Sequence, residues 1–78
     1  MDINMTTPTL TTYITDLTNG CKFLDSLVTD KSKDATRIQE VINGIEYQLG
    51  LPIVTEGDKN LTSFKSSVSD AKTYLAGL

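Results

Sequence analysis

The feature that most constrains this chain is an apolar stripe that continues, three or four residues at a time, through an Asn-Gly dipeptide. Its members are Leu10, Ile14, Leu17, Cys21, Leu24 and Val28. Side chains at this spacing lie on one face of an α-helix. Asn19-Gly20 is a common turn signal, and a helix broken there is the alternative. Because the stripe keeps its phase across the dipeptide, we predict one helix over residues 8–29, with Gly20 inside it at a cost of about 1 kcal/mol.

The start of this helix is predicted from Thr7 and Pro8, which suit the N-cap and the first helical position. Residues 1–6 ahead of them are expected to form a flexible N-terminal lead. A chain of 78 residues has room for one domain, so we assign residues 7–78 to a single helical domain.

Two further stripes have the same helical spacing. The second contains Ala35, Ile38, Val41, Ile42, Ile45 and Leu49, and the third contains Leu61, Phe64, Val68, Ala71, Leu75 and Leu78. They predict helices over residues 33–49 and 60–77, the first of which ends at Gly50 because Pro52 prevents its continuation. Each stripe must be buried against another element. We therefore predict an all-α three-helix bundle whose first two helices form an antiparallel hairpin through a short connector.

Two glycines inside the predicted hairpin, Gly20 and Gly44, lie at nearly the same level of the two helices. A close approach of the helices there would explain a glycine inside a helix. The alternative, that the glycines are merely tolerated, stays open. The exposed faces are rich in Thr and Ser, which are indifferent helix formers, so the helices are expected to depend on tertiary or quaternary packing.

The charges argue against several classes of partner. The formal net charge is −3, from 7 Lys and Arg against 10 Asp and Glu, and no basic face forms. A helix-turn-helix reading leaves the second helix with only Lys33 and Arg37 as basic groups. No run approaches the roughly 20 apolar residues that span a bilayer. We therefore expect no nucleic-acid or membrane partner.

The reactive side chains favour no enzymatic chemistry. The chain has no His, which removes the usual general base, and its single Cys21 lies on the apolar stripe, where a thiol is usually packing. The Asp and Glu residues follow no metal-binding pattern, and the glycines form no phosphate-binding loop. We predict a protein that is not an enzyme and has no catalytic residue, cofactor or metal.

One tripeptide, Asp25-Ser26-Leu27, resembles the Asp-Ser-Leu of acyl carrier proteins. In that family the serine carries phosphopantetheine at the start of a helix. The resemblance covers three residues, and the size, acidity and helical content of the chain are similar to those of the family. It implies an acyl-carrier-like domain that uses Ser26, which here falls near the end of the first predicted helix.

The segment 50–59, GLPIVTEGDK, is predicted to be a loop, and it is unusually apolar. Its apolar residues either close one end of the bundle or form an exposed anchor for another protein. Phe23 lies beside the first stripe, where it either widens the buried face, which we favour, or stays partly exposed. Two tyrosines could extend such a patch. The candidate protein-interaction residues are Phe23, Tyr47, Leu51, Ile53, Val54 and Tyr74.

Together these features predict a small, non-enzymatic helical interaction or assembly protein that acts through apolar helix and loop surfaces. Its expected partner is another protein or a second copy of the chain, as a homo-oligomer. The single cysteine and the absence of a basic, apolar signal region in MDINMTTPTL favour a cytoplasmic protein. The Thr/Ser/Asn/Asp/Lys-rich style is that of many short phage or environmental reading frames, which would place it in the host cytoplasm.

Overall fold

A computed structural model describes residues 9–57 and 60–78. In this part of the chain all regular secondary structure is α-helical and no strand is present, which confirms the all-α class. The helices are α1 (Leu10–Thr29), α2 (Ala35–Leu49), α3 (Pro52–Gly57) and α4 (Thr62–Ala76). The predicted lead of residues 1–6 and the predicted cap at Thr7 and Pro8 lie outside the described residues.

Helix α1 runs without a break through Asn19 and Gly20, as the phase of its stripe predicted. Within the described residues it begins at Leu10 rather than at residue 8. Its N-cap is Thr9, whose hydroxyl accepts a hydrogen bond from the backbone N–H of Thr12 at 3.3 Å. That bond satisfies one of the N–H groups that have no partner within the first turn of a helix.

The second helix begins later than predicted, because the connector between α1 and α2 extends as far as Asp34. Asp34 is the N-cap of α2, and its carboxylate accepts from the backbone N–H of Arg37 at 3.1 Å, so the helix begins at Ala35 rather than at residue 33. Lys31 has a φ of 58°, a left-handed conformation that reverses the chain after α1. As predicted, Gly50 ends α2.

Helix α3 corrects the prediction of a loop over residues 50–59 and raises the number of helices in the described residues from three to four. Pro52, which stops α2, also begins α3, because proline has no N–H to lose at the first helical position. Val54 and Thr55 both donate their backbone N–H groups to the carbonyl of Leu51 at 2.9 Å. Helix α4 begins at Thr62, two residues later than predicted.

The core is formed where the three predicted stripes meet. Helices α1, α2 and α4 each contact the other two, and α3 contacts α1 and α2. The buried residues are Leu17, Cys21, Leu24, Ile38, Ile42, Ile45, Val54, Leu61, Val68 and Ala71. No polar or charged side chain is buried among the described residues. Packing of the long helices therefore depends on the removal of apolar surface from water.

Gly20 faces α2, but its neighbour there is not Gly44, which the predicted hairpin places at nearly the same level. A Cβ built on Gly20 would stand 3.3 Å from Cγ1 of Ile45, whereas a Cβ on Gly44 would have no atom within 4 Å. The close approach at Gly20 is thus to an isoleucine side chain, and Gly44 lies in open space.

This difference predicts that two chemically identical substitutions change the free energy of unfolding by different amounts. Gly44→Ala is expected to raise the free energy of unfolding by about 1 kcal/mol, because alanine is the better helix former and nothing obstructs it. Gly20→Ala is expected to gain less or to destabilise, since Ile45 must move by a few tenths of an ångström. Urea denaturation of both variants measures the difference. An equal or larger gain at Gly20 would contradict the packing described.

Candidate protein-interaction surfaces

The structure separates the six predicted interaction residues into exposed and inward-facing groups. Phe23 is 44% exposed, Tyr47 is 70% exposed and Ile53 is 40% exposed. Leu51 and Tyr74 are half-buried against the core. Val54 is fully buried. The six residues therefore do not form one surface, and only the first three present much apolar area to solvent.

Val54 is a correction to the predicted interaction set. Its side chain is 0% exposed, so it is unable to contact a partner in this fold. The end of the same helix lies against the start of α1, since a Cβ on Gly57 would stand 2.7 Å from Cδ2 of Leu10. Of the side chains in this apolar segment, Val54 is buried in the core and Leu51 is half-buried against it, while Ile53 is partly exposed to solvent.

Tyr74 joins α4 to the connector that precedes α2. Its hydroxyl donates a hydrogen bond to the backbone carbonyl of Ser32 at 2.5 Å, and its ring packs against the core. A half-buried tyrosine with a satisfied hydroxyl is well suited to holding two segments together. Tyr74 therefore contributes more to the stability of the fold than to a surface that could contact a partner.

Phe23 does not widen the buried face of α1, contrary to the favoured alternative. At 100° per residue, Gly20 lies 40° from Leu24 around the helix and Phe23 lies 100° from it in the same direction. Helix α2 approaches at Gly20, so Phe23 falls beyond the edge that α2 covers. The ring is consequently presented to solvent on the outer side of α1.

A groove between α2 and α4, the α2–α4 groove, was not predicted from the sequence. It consists of two depressions along the same pair of helices. The first, of about 480 Å³, includes Glu46, Leu49, Lys65, Val68 and Lys72 in its lining. The second, of about 570 Å³, includes Ala35, Glu40, Leu75 and Leu78. The groove thus combines an apolar floor with charged rims, and Leu78 at its end is 48% exposed.

One ion pair crosses this groove. Nζ of Lys72 lies 2.6 Å from Oε2 of Glu46, with both side chains about half exposed. The other ion pair among the described residues, Arg37 with Asp34 at 3.7 Å, lies within the first turn of α2. Exposed pairs of this kind contribute little to stability. Lys65 lines the first depression and Glu40 lines the second, and neither has an ion pair in this part of the chain.

The thiol of Cys21 is packed in the core rather than presented for reaction. Its Sγ lies 4.0 Å from the carbonyl oxygen of Phe64. Burial raises the pKa of the thiol, and the negative charge of Asp25 raises it further, against a smaller opposite effect of the hydrogen bond with Ser67. The thiolate, which is the nucleophilic form, is therefore disfavoured.

Ser26 lies in the last turn of α1, where its hydroxyl donates to the backbone carbonyl of Phe23 at 2.7 Å. The resemblance to acyl carrier proteins implies a serine at the start of a helix, and this serine has the opposite position. Over the described residues, no group of three or more Cys, Asp or Glu side chains could hold a metal ion.

No helix in the described parts of the chain combines the length and the apolar character needed to cross a bilayer. Comparisons with protein-family models, with curated proteins and with solved structures found no match to this chain.

Proposed function

We propose that this chain is a small, non-enzymatic helical interaction and assembly protein, and that it associates with a second copy of itself through its apolar surfaces. The observation that carries the proposal is the exposure of large apolar side chains on a small protein. These are Phe23, Tyr47, Ile53 and Leu78. Aromatic side chains are enriched at protein interfaces, because they bury a large area for few rotatable bonds.

The arrangement of the long helices is part of the proposal. We infer that α1, α2 and α4 form a three-helix bundle, closed at one end by α3, with α1 and α2 antiparallel. The contact of Gly20 with Ile45 supports this, since the two residues lie at nearly equal distances along the chain from the connector. The hydrogen bond from Tyr74 to Ser32 supports the placement of the end of α4 near the same connector.

The absence of enzymatic function is proposed from the chemistry of the chain. It contains no histidine, and its one thiol is buried with a raised pKa. A nucleophile needs a base beside it or a lowered pKa, and Cys21 has neither property in the structure. Association through apolar surface requires no reactive group. It also agrees with the weak helix formers on the polar faces, because helices of that kind depend on packing for their stability.

Light scattering across a range of concentrations tests the proposal. The 8.5 kDa chain is expected to show a mass above that of the monomer as its concentration rises. A variant with serine in place of the four exposed apolar residues is expected to stay monomeric, because it has lost the surface that association would bury.

A matched control replaces four exposed threonines with serine, which keeps each hydroxyl. These are Thr11, Thr15, Thr29 and Thr55. The control is expected to associate like the wild type. A wild-type mass of one chain at every concentration up to about 1 mM, where association is worth only about 4 kcal/mol, would contradict the proposed self-association.

A further inference from the structure

We draw no further inference here: the strongest candidate, the α2–α4 groove, has an apolar floor, but the ion pair that crosses it, Lys72 with Glu46, is already formed within the chain, and nothing in the structure shows what covers the groove.

Discussion

Replacing Ile42 with alanine is expected to lower the free energy of unfolding by roughly 2–5 kcal/mol and to leave much of the protein unfolded at room temperature. Ile42 is 0% exposed and lies on the buried stripe of α2, which, like α1, contacts each of the other three helices. Its removal loses buried apolar surface and leaves a cavity. A core in a chain of this size rarely supplies more than about 3–5 kcal/mol, so one such loss approaches the whole.

The matched control is Ile53→Ala, the same chemical change at a side chain that is 40% exposed. It is expected to change the free energy of unfolding by no more than about 1 kcal/mol, because the residue leaves little cavity behind. Far-UV circular dichroism during urea denaturation, at protein concentrations below those of association, gives both values. Similar losses in the two variants would mean that the buried face of α2 is not the one described.

The long helices could be predicted because their apolar residues keep the helical spacing, even where a dipeptide within the helix favours a turn. Asn19-Gly20 favours a turn by itself, but a break there would remove Leu17 and Leu24 from a shared face. A glycine inside a helix costs about 1 kcal/mol, whereas exposure of one buried leucine costs more. The continuous α1 confirms that the period outweighs the dipeptide.

Helix α3 could not be predicted from the same principle, because six residues are too few to establish a period. Pro52 is compatible with either a loop or a new helix, because a proline that prevents one helix from continuing is also well placed to begin the next. The neighbours Ile53 and Val54 are chemically similar, and only the docking of α3 on α1 and α2 decides which of them is buried.

The candidate surfaces depend on how far each helix is rotated about its own axis, which a stripe specifies only to within a residue or so. Phe23 lies close enough to the stripe of α1 for either outcome, and the approach of α2 at Gly20 leaves it exposed. The α2–α4 groove could not be predicted, because the apolar stripes do not show which polar residues of two different helices border one depression.

Introducing a carboxylate at position 54 tests the placement of α3 most directly. Val54→Asp is expected to lower the free energy of unfolding by at least about 3 kcal/mol at neutral pH, because the side chain it replaces is 0% exposed and no described buried polar group could pair with a charge there. Either α3 separates from α1 and α2 or the whole chain unfolds. Urea denaturation and amide hydrogen exchange over residues 52–57 distinguish these two responses.

Ile53→Asp is the matched control, one residue away on the same helix. Its side chain is already 40% exposed, so a carboxylate there keeps its hydration, and a change of no more than about 1 kcal/mol is expected. Lowering the pH should recover part of the loss in the Val54 variant but not alter the control, since burial favours the protonated carboxyl. If both variants are equally stable, Val54 is not buried by the contacts of α3 with α1 and α2, and it returns to the set of residues that could contact a partner.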